Sequence, residues 1–219
     1  MQSKFTLAAL AAVAVAGGAY LFTTSAPTST GFAMAEAQTA DIDTSSITDM
    51  FIGAEDAPVE IIEYASYTCP HCANFHSAVF KQLKENYIDT GKVKFTYREV
   101  YFDRFGLWAS MVARCGGDMR FFGISDLLYS EQKEWTGSGD PAEIAENLKK
   151  IGLKAGLSSD ELDVCMQDGA KAQTLVAWFE ENAKADDVNS TPTFIVDGKK
   201  ESNMNYADFS ALLDEKLGE

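Results

Sequence analysis

The 219-residue chain carries 33 Asp and Glu against 18 Lys and Arg, a formal net charge of −15. Its length suits one domain with a sizeable core, or one domain carrying a large insertion, and leaves little room for several. So acidic a chain argues against a nucleic-acid partner and reads as a solvated surface that keeps the protein soluble, with no bearing on substrate.

Lys4 and the free amine form a short positive region, and residues 5–22 are apolar or small throughout, the pattern of an export signal. No Lys or Arg follows until Lys81, which favours an N-terminus inside the cytoplasm and a translocated remainder in the periplasm. Ala33-Met34-Ala35 and Ala35-Glu36-Ala37 offer small-x-small cleavage sites. The apolar run is also close to the ~17 to 25 residues that span a bilayer, so residues 1–37 read as a cleaved signal peptide or a retained membrane anchor through residues 5–22, both open. Removing 1–37 leaves the net charge unchanged, because Lys4 and Glu36 cancel. The Thr-, Ser-, Ala- and Pro-rich stretch from Thr23 to about Ser46 has no periodicity and reads as disordered linker, which sets the division 1–37 leader, 38–49 linker, 50–219 domain.

After Pro58, the run from Val59 to Tyr64 is β-branched and aromatic and predicts a strand. The turn Ser66-Tyr67-Thr68 leads to Cys69-Pro70-His71-Cys72, from which Cys72, Phe75, Val79 and Leu83 recur at helical spacing up to Gly91. Residues 93–100 alternate as a second strand. A helical block occupies about 103–187: Leu107, Met111 and Cys115 repeat every four residues, Phe121, Phe122, Leu127 and Leu128 form a second apolar patch, and Asp140-Pro141 is a cap and first-turn pair. Ser158 with Glu161 makes a capping-box pattern for a helix carrying Leu162, Cys165 and Met166, and a further helix runs from about Ala170 to Lys184. Thr193 to Val196 predicts a third strand, Asp197-Gly198 a turn, and Tyr206 to Leu217 a final helix. The order is that of an α/β domain with helices inserted between its second and third strands.

Proline suits the first position of a helix, so Pro70 nominates Cys69 as the N-cap. There its sulfur faces the free N–H groups of His71 and Cys72 at the positive end of the helix, and a thiolate is stabilised. A stable thiolate is a good leaving group, so a Cys69–Cys72 disulfide would break readily under attack by another thiol, and the pair would oxidise others. His71 could add positive charge beside Cys69, and Cys72 on the inward face would be the shielded partner. Cys-x-x-Cys is also half of a zinc site, with His76 four residues on, but no second close pair follows. Haem attachment requires His at position 73, which is Ala. A purely structural disulfide remains an alternative.

The run from Glu63 to Phe75, including the Pro-His dipeptide between the cysteines, resembles the active-site segment of the DsbA-like thiol:disulfide oxidoreductases, and Thr191-Pro192-Thr193-Phe194 is similar to the cis-proline loop of the thioredoxin superfamily. The resemblance covers roughly Met50 to Leu217 and implies a thioredoxin-like fold with a helical insertion. The 120 residues between Cys72 and Pro192 favour this branch over plain thioredoxins. It further implies that Pro192 is cis and packs against the redox pair, that Thr191 offers its backbone to a substrate peptide, and that Glu63 lies beneath the pair and helps the buried cysteine exchange protons, the alternative being a solvent-facing strand residue. Reduced exported proteins would be the substrates and a membrane protein of the DsbB type the reoxidant, with no cofactor and no metal.

Cys115 and Cys165 depart from the best-known family member. They are either buried free thiols or, as the oxidising compartment favours, a structural disulfide, with redox activity a further option. The rivals to a disulfide donor are a reductase or isomerase with the same motif, and a metal- or peptide-binding module.

Overall fold

A computed structural model describes residues 42–219. Five strands form one sheet in the order β1-β3-β2-β4-β5, where β1 is Met50–Ile52, β2 Val59–Ala65, β3 Val93–Glu99, β4 Thr193–Val196 and β5 Lys199–Ser202. The central β2 runs parallel to β3 and antiparallel to β4. Alternation along β2 divides its side chains between the two faces. Val59 and Ile61 pack with Phe75, Val79, Phe209 and Leu213, while Tyr64 packs on the other face with Val100, Ile195 and Phe179.

The two edge strands were not read from the sequence. β1 has only three residues, and β5, Lys-Lys-Glu-Ser, is a polar edge on which exposed charges discourage pairing with other chains. The hairpin joining β4 to β5 turns at Asp197 and Gly198, both with positive φ (46° and 78°), the geometry that an Asp-Gly pair supplies.

Helix α1, Pro70–Phe75, continues to Ile88 through two wide turns, His76–Phe80 and Lys84–Ile88, separated by the short helical stretch Lys81–Leu83. The inserted helices are α2 (Arg104–Cys115), α3 (Gly117–Ser130), α4 (Gln132–Thr136), α5 (Pro141–Lys154), α6 (Ser159–Gln167) and α7 (Gly169–Ala185), and α8 (Tyr206–Leu217) follows β5. Local chemistry fixes several starts. Asp140 caps α5 with Pro141 at its first position, Ser158 and Glu161 form a reciprocal capping box on α6, and Asp103 accepts from Phe105 and Gly106 at the start of α2.

The insertion and the sheet share a core. Phe121, Ile124, Leu128, Trp135, Ile144 and Leu148 are continuous with Ala65, Tyr67, Cys72 and Tyr97, so the Cys-x-x-Cys turn sits on the seam between them. A buried ion pair crosses the same seam: Arg114 of α2 reaches both carboxylate oxygens of Glu99 at 2.6 and 2.7 Å, and Ser110 adds a bond of 2.9 Å. Cys115 and Cys165 are joined as a disulfide between α2 and α6.

The linker expected over 38–49 requires correction where it is described. Ile47 is buried against Met111, Leu175 and Trp178, the Thr48 carbonyl accepts from Arg114, and Asp49 pairs with Arg98, so these residues belong to the folded domain. An apolar anchor at Ile47 was masked by the polar composition around it. The leader or anchor expected over 1–37 lies outside the described residues. Among the described residues no helix is long and apolar enough to cross a membrane.

Candidate active site

Cys69 occupies the N-cap of α1 with extended backbone (φ −82°, ψ 119°), and Pro70 takes the first helical position. Its amide donates to the Ser66 carbonyl at 3.0 Å and its carbonyl accepts from Ala73 at 3.2 Å, which closes the turn and starts the helix. Cys69 is half-buried, Cys72 is fully buried, and the two are unlinked thiols.

This geometry separates the two sulfurs electrostatically. The Cys69 thiol is pulled down to about 5 by the hydrogen bond from Cys72, aided by Thr191 and the backbone N–H groups of Cys72 and His71, against the opposing effect of burial. Burial, first, and then the hydrogen bond to Cys69 and the negative charges of Glu63 and Cys69 push the Cys72 thiol far above its ordinary value. One sulfur is thus an anion at neutral pH and its neighbour a thiol.

Thr191 and Pro192 close the site from the sheet side. Their peptide bond is cis, Pro192 is buried, and the Cys69 sulfur as a thiol donates to the Thr191 carbonyl at 3.6 Å. The Thr191 hydroxyl is buried without a hydrogen-bond partner among the described residues.

Glu63 lies on β2, directly between Tyr97 of β3 and Phe194 of β4 in the sheet register. It is 2 % exposed, which sets aside the alternative of a solvent-facing strand residue. Burial, with a smaller contribution from the negative Cys69, pushes its carboxyl up to about 8, so it holds its proton at neutral pH. Pro70 and His71 are exposed at the helix start, and what the structure shows of His71 at the sulfur is its backbone N–H. His76 is buried, stacked on Phe80 and 3.1 Å from Asp126. Among the described residues no group of three or more His, Cys, Asp or Glu side chains converges as metal ligands.

The structure adds residues that the sequence did not single out. Thr68 donates to Asp103 at 2.7 Å, Tyr67 shares a hydrogen bond of 2.7 Å with Ser125, and the Gln132 side-chain amide donates to the carbonyls of Tyr67 and Cys69 at 2.7 and 3.0 Å. All three contacts come from the insertion or its entry loop, and no local spacing signals them.

The chain is similar to known proteins over most of its described length. A family model described as Thioredoxin matches residues 45–215. A protein of Rickettsia bellii named "Putative protein-disulfide oxidoreductase" is 36% identical over 172 residues, covering 78% of this chain and 65% of its own length, so the chain spans just under two thirds of that relative. Disulfide bond formation protein D of Bacillus subtilis is 27% identical over 172 residues, covering 74% of this chain and 72% of its own. Among solved structures, Wolbachia pipientis alpha-DsbA1 superposes with a TM-score of 0.73 at 26% identity, over 78% of this chain and 92% of that one.

Proposed function

The chain belongs to the thioredoxin family, in its DsbA-like branch, and on that premise we propose that it is a protein dithiol:disulfide oxidoreductase that donates a Cys69–Cys72 disulfide to newly exported proteins in the periplasm. The observation that carries this reading is the contrast within one helical turn: a Cys69 thiol held at about 5 beside a Cys72 thiol held far above the ordinary value. Stabilising the Cys69 thiolate stabilises the reduced enzyme, and a pair that prefers to be reduced oxidises its partners.

The steps follow from the placement of the groups. A substrate thiolate attacks the Cys69 sulfur of the enzyme disulfide. A bond forms between these two sulfurs, the Cys69–Cys72 bond breaks, and Cys72 leaves with the electron pair. A buried thiolate is costly, and neutral Glu63 supplies the proton that converts it to a thiol. Glu63 then recovers a proton from solvent. A second substrate thiolate attacks the substrate sulfur of the mixed disulfide and expels Cys69 as a stable thiolate. The substrate leaves with a new disulfide, and the enzyme retains the two electrons. Thr191 and Pro192 flank Cys69 where an extended substrate segment would lie. A membrane protein of the DsbB type would take the electrons and restore the disulfide, and no metal or organic cofactor enters these steps. Cys115–Cys165 serves as a structural disulfide in this scheme.

The test is oxidation of a reduced, unfolded disulfide protein by stoichiometric oxidised enzyme. Cys69→Ser should abolish thiol loss, whereas Cys72→Ser, loaded on Cys69 as a mixed disulfide with glutathione, should exchange the glutathione for a substrate that carries a single cysteine and accumulate as a covalent complex with it, because no second substrate thiol is there to resolve it. Full activity in Cys69→Ser would refute the assignment.

A further inference from the structure

Gln132 is the first residue of α4, a short helix set off from α3 by Glu131, and only 7 % of it is exposed. Such burial of a primary amide needs partners, and Gln132 has two: one side-chain nitrogen donates to the backbone carbonyls of Tyr67 and Cys69 at 2.7 and 3.0 Å. Both acceptors lie in the turn that delivers the redox pair. The Cys69 carbonyl is also the acceptor for the Ala73 amide, the bond that opens α1. The orientation of that carbonyl fixes the Cys69 backbone and so aims its sulfur at the N–H groups of His71 and Cys72. Gln132 itself is held by its neighbours: Trp135, 1 % exposed, donates to the Leu128 carbonyl at 2.7 Å, and Thr136 donates to the Gln132 carbonyl at 2.6 Å.

We propose that Gln132 is a positioning residue through which the helical insertion sets the redox poise of Cys69, by holding the Cys69 carbonyl and placing the positive end of its amide dipole against the start of α1. The inference deepens the disulfide-donor reading and rests on it. The Gln132 N–H bonds the carbonyl of Cys69 itself, at the start of the helix whose backbone N–H groups face the sulfur, and a fixed positive dipole end near a group that gains negative charge favours the charged form over the neutral one. Its effect is therefore larger when Cys69 is a thiolate than when it is a disulfide. This difference moves an equilibrium, whereas a contact equally strong in both states contributes only to stability.

Two substitutions of similar length give opposite signs. Gln132→Met removes the donor. With one buried hydrogen bond's worth of differential stabilisation lost, the Cys69 titration, read by thiolate absorbance, should rise by about one unit, and the glutathione equilibrium should shift roughly tenfold towards the enzyme disulfide, ~30 mV. Gln132→Lys keeps a donor and adds charge, so titration and equilibrium should move the other way, towards the dithiol, at least threefold. A merely structural role would lower the melting temperature of both variants and leave titration and equilibrium at parental values. That result in either folded variant overturns the proposal, and if Gln132→Met does not fold, the sign for Gln132→Lys decides. The parent's own potential, measured alongside, tests the disulfide-donor reading separately, because the differences between parent and variants are informative whichever direction the parent drives.

Discussion

Glu63 is a carboxyl group in a place where a carboxylate would be costly. In the unfolded chain it titrates near 4.5, and in the folded chain burial raises it to about 8. Below the lower value both states are neutral and the residue is no burden. Between the two values the unfolded chain has lost a proton that the folded chain keeps, so stability falls as pH rises through this window. Glu63→Gln removes the dependence. The reduced variant should be more stable than the parent at pH 7 by on the order of 3 kcal/mol and equal to it near pH 4, as read by urea unfolding at both values, while oxidising substrate more slowly because Cys72 has lost its proton source. Equal stability at both values would mean that the carboxyl is not held neutral. At this scale the redox pair was legible because its signal is local: Pro70 after Cys69 specifies the cap, and the cap specifies which sulfur faces the helix N–H groups. Gln132 was not legible, because its two acceptors lie more than sixty residues earlier and are backbone carbonyls, which leave no trace in sequence.

Elements with strong periodicity or explicit caps were legible to within a residue or two. α8 spans Tyr206–Leu217 as read, and the capping box at Ser158 opens α6. What escaped was set by tertiary contact. β1 is a strand because Met50, Phe51 and Ile52 meet Tyr97, Thr96 and Phe95 of β3, and the two wide turns of α1 leave its apolar spacing intact. The Cys115–Cys165 bond acts at this scale too. It closes a loop of 50 residues between α2 and α6, worth roughly 4 kcal/mol in the chain-entropy model. Replacing both cysteines with Ala should lower the melting temperature by several degrees and leave oxidation of substrate by Cys69–Cys72 in place. An unchanged melting temperature would remove the stabilising role, and loss of substrate oxidation in a folded variant would make the second pair part of the redox chemistry.

The sheet, the insertion and the acidic surface contribute differently to the behaviour of the whole molecule. The sheet holds Glu63 and the cis Thr191–Pro192 bond under and beside the cysteines, and the insertion supplies the other walls, through Thr68–Asp103, Tyr67–Ser125 and Gln132. The net charge of −15 keeps such a protein dispersed and gives no chemical direction. Direction comes from the difference between two sulfurs, and it is a property of the assembled domain that one number summarises. That number is the reduction potential of Cys69–Cys72, obtained by equilibrating the protein with glutathione buffers and quantifying the reduced fraction after acid quenching. A disulfide donor has a potential well above the ≈ −270 mV of thioredoxin, and that is the value expected. A value at or below thioredoxin's would show a pair poised to reduce its partners, and would contradict the disulfide-donor reading.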